Sequence, residues 1–296
     1  MLDFRDMQLL AALARHGHFG RAAEACGITQ PAFSTRIRNL EQKLGAPIVK
    51  RGHRFGGFTA EGEIALRWAR RILQDAETMR QDMSAARTGL TGHVTIGAVP
   101  TAISFAAEAT THLRRAHPGL AIELRSSSSD QIKRGLTDVS LDAGLTYMRG
   151  AFPPGLTTTK LYDERYALIA PRRLVDPMRE TITWREAAEL PLCLLSTDMT
   201  NRQILDGVFA ELGVVPDLVL ESNAFTVALV QCAAGLSATI APERLVATLP
   251  FLRSELIALP LTDPDVSEPI GLVLPEQDPP APTMLALADA FHATAT

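Results

Sequence analysis

The sequence predicts an α/β fold carrying an all-α, winged helix-turn-helix head at its N-terminus, with one long helix joining the two parts. Three observations predict it. Residues 19–45, FGRAAEACGITQPAFSTRIRNLEQKLG, read as two short helices around a tight turn. Residues 59–89 hold apolar side chains at 4-3-4-3-4 spacing, the mark of one continuous helix. From residue 93 onward short apolar runs alternate with helical segments, as in an α/β sheet. The boundaries that follow are a head over residues 1–58, a linker helix and hinge over 59–91, and a larger domain over 92–296.

In the head, Ala22 and Ala23 are small enough to let a second helix approach closely. Gly27 follows the first helix of the pair, where a residue able to turn left-handed ends a helix at little cost. Thr29 is the expected cap of the second helix, flanked by Ile28 and Phe33 as a hydrophobic staple. Pro31 falls in the first turn, where its missing N–H costs no helical hydrogen bond. Phe33, Ile37, Leu40 and Leu44 make one buried stripe. At about 100° per residue, Pro31, Ser34, Thr35, Arg38 and Gln42 occupy the opposite face, with Gln30 at its edge. Amides, hydroxyls and guanidinium groups read base edges and phosphates, so Gln30, Pro31, Ser34, Thr35 and Arg38 are candidate contacts to double-stranded DNA. Lys50, Arg51, His53 and Arg54 follow among glycines and read as a wing. It would bring Arg51 and Arg54 to the phosphate backbone or the minor groove.

Charge supports that reading. Residues 1–58 hold nine Lys/Arg against four Asp/Glu, whereas residues 92–296 hold 15 against 24. The formal net charge of −4 therefore hides a basic head on an acidic body, the asymmetry of a chain with a nucleic-acid partner.

Thr59 is a suitable cap for the long helix. Along it, Ala65, Ala69, Ile72, Ala76, Met79 and Met83 form a heptad-like seam with Trp68 at its edge. The simplest cover for that seam is the same helix of a second subunit, giving a homo-oligomer through residues 65–83 that sets two heads on a dyad-symmetric operator. Packing against the chain's own larger domain is the alternative. ARTGLTGH, residues 86–93, reads as the break and hinge.

In the larger domain HVTIGAV, AIELRS, LDAGLTY, YALIAP, LCLLS, DLVLES, SATIAP and PIGLVLP are the expected strands. Helices are expected near 101–116, 129–137, 184–189, 201–212, 225–235 and 281–293. Ligands of open α/β sheets sit beyond the carboxyl ends of strands, against helix starts. Three such places are rich in hydroxyls: Thr101, the run ending in Ser128 and Ser129, and Thr197 with Thr200. Each side chain serves equally well as an ordinary helix cap. Thr146 and Asn223 also stand at strand ends. Arg202 reads as a partner for a ligand carboxylate or as a brace for its own helix. A small anion, such as a carboxylate, is the expected ligand.

Cys26, Cys193 and Cys232 are widely spaced with no CxxC, and the seven histidines show no ligand spacing, so no metal and no cofactor are expected. A redox pairing of Cys193 with Cys232 is left open. The first residues form an amphipathic helix with acidic side chains, unlike a signal peptide, and no apolar run reaches the roughly 18–20 residues of a membrane span. A cytoplasmic protein is expected, associated with the nucleoid when on DNA.

The helix-turn-helix run, the wing RGHRFGGFTAEG and the helix after it resemble the LysR-type transcriptional regulators, over the whole chain and most specifically over the first 65 residues. The resemblance implies a two-lobed, periplasmic-binding-protein-like effector domain, with lobe I over about 92–163 and 266–296 and lobe II over about 164–265. It also implies dimers or tetramers through the linker helix, and RNA polymerase among the partners. It places Thr101, Ser128 and Ser129 where relatives hold their effector. Three positions depart from the family pattern: Gly20 for a capping Ser or Thr, Thr35 for a frequent Arg, and Ile48-Val49 for Leu-Phe. LPLCLLSTDMTNRQILD, ESNAF and RFGGFTAEGE are similar to a subgroup associated with formate dehydrogenase genes. An enzyme or a solute-binding module carrying a helix-turn-helix is the alternative. The chain has no glycine-rich phosphate loop, G-x-S-x-G elbow or HExxH to support the enzyme.

Overall fold

The computed structural model describes residues 2–50, 55–248 and 256–295. They form two compact units, one of Met1–Gly89 with Asp138–Ser140 and one of Leu90–Thr137 with Leu141–Thr296.

In the first unit, helix α1 (Phe4–His16) starts with a reciprocal cap. The Asp3 carboxylate accepts from the Asp6 amide at 2.8 Å, and the Asp6 carboxylate accepts from the Asp3 amide at 3.3 Å. Helix α2 (Phe19–Ala25) is followed by Gly27 at φ +68°, the left-handed step that turns the chain into α3 (Gln30–Leu44). Thr29 caps α3 by accepting from the Ala32 amide at 3.4 Å. Phe33, Ile37 and Leu40 are buried with Leu9, Leu10, Leu13, Ala22 and Ala23 in one core. Burying a side chain as large as Phe33 contributes on the order of 2–3 kcal/mol. Leu44 departs from the expected stripe and is 38 % exposed. The last turn of α3 has passed the core's edge, and Leu44 instead lines a surface groove with Leu2, Ile64, Trp68 and Ile72.

Beyond α3, Val49 pairs antiparallel with Phe58, and the Lys50 amide donates to the Gly57 carbonyl at 3.0 Å, forming the base of a wing. Residues 51–54, with Arg51 and Arg54, lie outside the described residues. Edge-to-face contacts of Phe58 with Phe55, Phe55 with Phe19 and Phe19 with Phe33 tie the wing base to α2 and α3.

Helix α4 (Ala60–Thr88) is capped by Thr59, which accepts from the Gly62 amide at 3.0 Å. Its first turns belong to the head. Leu66 and Ala69 are buried in the head core and Ala65 packs on it, so the expected 65–83 seam is not one free face. The apolar side chains left exposed are Ile64, Trp68, Ile72, Met79 and Met83, the last 74 % exposed. The helix runs on through Thr88 and the next strand begins at Thr91, which narrows the expected break to Gly89 and Leu90.

The second unit runs β1 (Thr91–Ala98), α5 (Ile103–Ala116), β2 (Gly119–Ser126), α6 (Ser129–Thr137), β3 (Ala143–Tyr147), β4 (Leu156–Pro171), β5 (Ile182–Thr183) and α7 (Trp184–Ala188). It continues with β6 (Leu192–Leu195), α8 (Thr200–Leu212), β7 (Leu218–Ser222), α9 (Phe225–Ala233) and β8 (Thr239–Pro242). It ends with α10 (Glu243–Thr248), β9 (Leu256–Thr262), β10 (Ser267–Pro275) and α11 (Pro282–Ala295). The strands order as β2-β1-β3-β10-β4-β9-β5 with β8 also on β4, and β6-β7 pair separately. The first three are parallel, and β10 runs antiparallel to β3 and β4.

Strand β4 belongs to both lobes. Its residues up to Arg165 pair with β10, and from Tyr166 onward they pair with β8 and β9. The chain therefore changes lobe within one strand. Tyr166, Trp184 and Phe209 stack edge-to-face in the lobe II core, and Phe105 meets Tyr162 and Phe291 in lobe I. The first half of β4, β5, β9 and α10 were not legible in the sequence. LTTTKLYDER is mostly polar, and LIALPLT carries a Pro that weakens a strand reading.

Candidate functional site

The described chain presents two sites, one on the head and one between the lobes of the larger domain. On α3, Gln30, Pro31, Thr35, Arg38 and Gln42 are exposed and Ser34 is half-buried, opposite the buried Phe33, Ile37 and Leu40. The helical period forces that division: three core side chains at 4-3 spacing leave these polar ones facing out. Arg38 Nη2 donates a long 3.5 Å bond to Thr35 Oγ1, which leaves most of its guanidinium donors available. Between α3 and the wing base lies a cleft of about 600 Å³ edged by Arg38, Gln42 and Lys50. The Glu41 carboxylate fixes its floor by accepting from the Ile48 and Val49 amides at 2.9 and 3.3 Å.

His18 was missed in the sequence. Its Nδ1 caps α2 by accepting from the Gly20 and Arg21 amides at 3.0 and 3.4 Å. Gly20, one of the three positions expected to depart from the family pattern, is crowded by the His18 ring and by Gln30 Oε1, which a Cβ there would approach to 3.3 Å. The cap of α2 thus stands at His18, two residues before Gly20, and the space beside Gly20 holds the first residue of the polar face.

The second site lies at the carboxyl ends of β1 and β3, where lobe II meets lobe I. Ser129, first residue of α6, is its hub. Thr146 donates to Ser129 Oγ at 2.8 Å, and Thr200, first residue of α8 in lobe II, donates to the same oxygen at 2.8 Å. An oxygen that accepts twice keeps its own proton for a third partner. Thr101 is buried before α5 and lies 3.1 Å from the Tyr147 hydroxyl, which in turn donates to Glu164 Oε1. Because Tyr147 has one proton and gives it to the carboxylate, Thr101 is the donor of the first bond.

Glu164 is 2 % exposed, and burial pushes its carboxyl up to about 7 against the stabilising hydroxyl of Tyr147. Burial likewise raises the phenols of Tyr147 and Tyr166, so both stay protonated. Glu164 Oε2, the Tyr166 hydroxyl and both amide atoms of Asn201 are buried close together without a hydrogen bond of good geometry among the described residues. Tyr147, Glu164, Tyr166 and Asn201 were not anticipated. One signal was available: in YDERY, residues 162, 164 and 166 alternate onto one face of a strand, setting a carboxyl between two phenols.

The other expected effector residues are placed differently. Ser128 caps α6: Gln131 N donates to Ser128 Oγ at 3.4 Å, and Ser128 N donates to Gln131 Oε1 at 2.9 Å. Arg202 braces its own lobe. It donates to Asp206 at 2.7 Å, Glu221 at 2.7 Å and the Leu195 carbonyl at 2.9 Å, so α8 is tied to β6 and β7. Thr197 and Asn223 are exposed and are not drawn into the Ser129 or Glu164 clusters by any described hydrogen bond. Among the described residues no group of three or more His, Cys, Asp or Glu is placed to hold a metal ion, and no helix is long and apolar enough to cross a membrane.

Residues 4–63 match the bacterial regulatory helix-turn-helix protein, lysR family, and residues 87–296 match the LysR substrate binding domain. The DNA-binding transcriptional dual regulator OxyR of Escherichia coli K12 is 27 % identical over 296 residues, covering 99 % of this chain and 95 % of that protein. A full-length OxyR variant from Pseudomonas aeruginosa superposes with a TM-score of 0.79 at 21 % identity, over 98 % of this chain and 95 % of that one. Full-length CbnR complexed with its target DNA superposes with a TM-score of 0.69 at 20 % identity, over 99 % of this chain and 100 % of the other. With both of its parts matched and their order preserved, the chain belongs to the LysR family of DNA-binding transcriptional regulators.

Proposed function

We propose that this regulator reads a dyad-symmetric operator through α3 and the wing, and that a small metabolite held between the lobes of its effector domain sets its action at the promoter. The observation that carries the reading is the two-sided α3. Its apolar face is spent in the head core, and its outer face presents Gln30, Pro31, Ser34, Thr35 and Arg38 beside the wing base at Lys50. Arg51 and Arg54, which follow Lys50 in the sequence, are assigned to phosphate or minor-groove contacts. The likeness to CbnR, solved with its target DNA, supports this use of the head. The working division is a head of residues 1–58, a linker of 59–91 and an effector domain of 92–296. The exposed Ile64, Trp68, Ile72, Met79 and Met83 give the linker a face for a second copy, and so a dimer or a pair of dimers. RNA polymerase is the further partner at promoters it activates, and the cytoplasm is its place of work.

The effector reading rests on Ser129, Thr146 and Thr200, which hydrogen-bond to one another across the lobes, and on Thr101, which bonds to Tyr147 beside Thr146. A carboxylate on the ligand suits the spare hydroxyl proton of Ser129 and the adjoining helix starts. Some relatives are named hydrogen peroxide-inducible genes activators. Peroxide chemistry needs an accessible thiolate. Cys193 and Cys232 are fully buried and burial raises both thiols, Cys232 to about 12, so we assign them to packing.

The test is fluorescence anisotropy with DNA from upstream of the chain's own gene, against scrambled DNA, over a salt series. Tight, salt-dependent preference for the upstream DNA is expected. Equal affinity for both would remove the operator reading. A thermal-shift screen of small carboxylates and oxyanions tests the effector half.

A further inference from the structure

We propose that the inter-lobe cleft selects a ligand carrying an amino group as well as a carboxylate, that is, an amino acid or small amino-carboxylate, with its nitrogen at Glu164 and its carboxylate at Ser129. This rests on the reading that the cleft holds the effector, and it adds the chemical class.

The observations come from three elements. Tyr147 ends β3, Glu164 and Tyr166 lie on β4 at the change of lobe, and Asn201 opens α8. Their side chains are each more than nine-tenths buried. Glu164 Oε1 is taken by Tyr147, while Oε2, the Tyr166 hydroxyl and both amide atoms of Asn201 are buried without a hydrogen bond of good geometry among the described residues. Leaving such atoms unpaired costs the folded protein stability. The Tyr166 hydroxyl and the Asn201 amide nitrogen bring donors of their own, which leaves Glu164 Oε2 and Asn201 Oδ1 as acceptors. An ammonium group supplies donors for both, with a positive charge beside the carboxyl.

The charges nearby decide against a plain anion. Glu164 makes no ion pair among the described residues. Arg202, next to Asn201, is held by Asp206, Glu221 and Leu195. Arg244 is stacked over Phe105 and Tyr162 and donates to the Thr294 carbonyl at 2.7 Å. Arg149 faces Glu268 at 3.4 Å. An anion entering alone would set a second negative group beside an uncompensated carboxyl, which disfavours the ionised form of one of them. A ligand nitrogen removes that conflict, and its carboxylate is left for the opposite cluster. There Ser129, with two hydroxyls already donating to it, retains a proton to give. Thr146 and Tyr147 are consecutive at the end of β3, on opposite faces of the strand, and Thr200 and Asn201 are consecutive at the start of α8. A ligand lying across the strand end therefore has one cluster on each side.

The experiment is a thermal-shift titration of the full-length protein with the twenty protein amino acids. Each responder is then compared with its deaminated acid and its decarboxylated amine. At least one amino acid should raise the melting temperature in a dose-dependent way. Its two truncated analogues should need at least ten-fold higher concentration, and Glu164→Gln should cost ten-fold or more in the amino acid's affinity. Asn201→Ala, whose side-chain amide makes no hydrogen bond of good geometry among the described residues, serves as a second variant with the same expectation. The inference is overturned if no amino acid stabilises the protein, if the deaminated acid binds as tightly as its parent, or if both variants respond like wild type. Should carboxylates without nitrogen bind and Ser129→Ala abolish that binding, the cleft reading stands and this inference falls alone.

Discussion

Thr200 donates its hydroxyl to Ser129 Oγ at 2.8 Å, so the first residue of a lobe II helix rests on the first residue of a lobe I helix. The same oxygen takes the hydroxyl of fully buried Thr146. One serine thus sets both the meeting of the lobes and the floor of the proposed ligand site. Ser129→Ala removes the acceptor and leaves the Thr146 hydroxyl buried without it. That should cost about 1–3 kcal/mol of effector-domain stability, read by urea unfolding. A variant as stable as the parent would mean the two hydroxyls find other partners.

Glu164 gives a pH dependence of defined sign. Its carboxyl ionises near 7 in the folded chain against an ordinary 4.5, chiefly because burial disfavours the charge. Tyr147, Tyr166 and Glu268 face it, and Glu268 is itself shifted upward by burial. Below pH 4.5 the group is protonated whether folded or not, and it has no effect on stability. Between 4.5 and 7 the unfolded chain gives up the proton and the folded chain keeps it, so folding loses up to about 3 kcal/mol by the upper end. Glu164→Gln cannot ionise. The stability difference, variant minus parent, should therefore climb across that window and level off above it. A difference flat with pH would show that the carboxyl is not desolvated.

Gly62 reverses an ordinary expectation. In an exposed helix, Gly→Ala stabilises by about 1 kcal/mol. Here a Cβ would fall well inside van der Waals contact of the Ile48 carbonyl oxygen, because α4 crosses the wing base at this residue. Gly62→Ala should destabilise the head by about 2 kcal/mol or more, seen as a lower thermal midpoint and weaker operator binding. A stabilised variant would contradict the close approach.

The linker face separates folding from assembly. Ile72 is 42 % exposed in a single chain, so Ile72→Asp should leave the monomer folded. Buried against a second copy, the same carboxylate would cost several kcal/mol. Light scattering at micromolar concentration should find dimers in the parent and monomers in the variant. Dimers in both would place the interface elsewhere.

Local chemistry was legible and convergent chemistry was not. The caps Thr29 and Thr59 need only their own helix, and the structure has both. The polar face of α3 follows from the helical period alone. Leu44 fits that period and is still exposed, because the pattern does not say where the core ends. Arg202 was open to two readings until Asp206 and Glu221 were seen to hold it. Glu164 acquires its meaning from Tyr147 on another strand and Asn201 on another lobe, a grouping fixed by the sheet order. Ser128, Ser129, Thr146 and Thr200 look alike in the sequence, and only the fold separates the capping Ser128 from the shared oxygen of Ser129.

Operator recognition by the head is examined most directly by one titration. Parent, Gln30→Ala and Arg54→Ala are compared by anisotropy on operator and scrambled DNA across a salt series. A base-reading side chain is worth roughly 1–3 kcal/mol of discrimination, whereas a phosphate contact weakens all sequences alike. Gln30→Ala should lose operator preference while its scrambled-DNA affinity holds, and Arg54→Ala should lose both together with a shallower salt slope. Operator affinity, preference and salt slope unchanged in both variants would contradict base reading by α3 and phosphate contact by the wing.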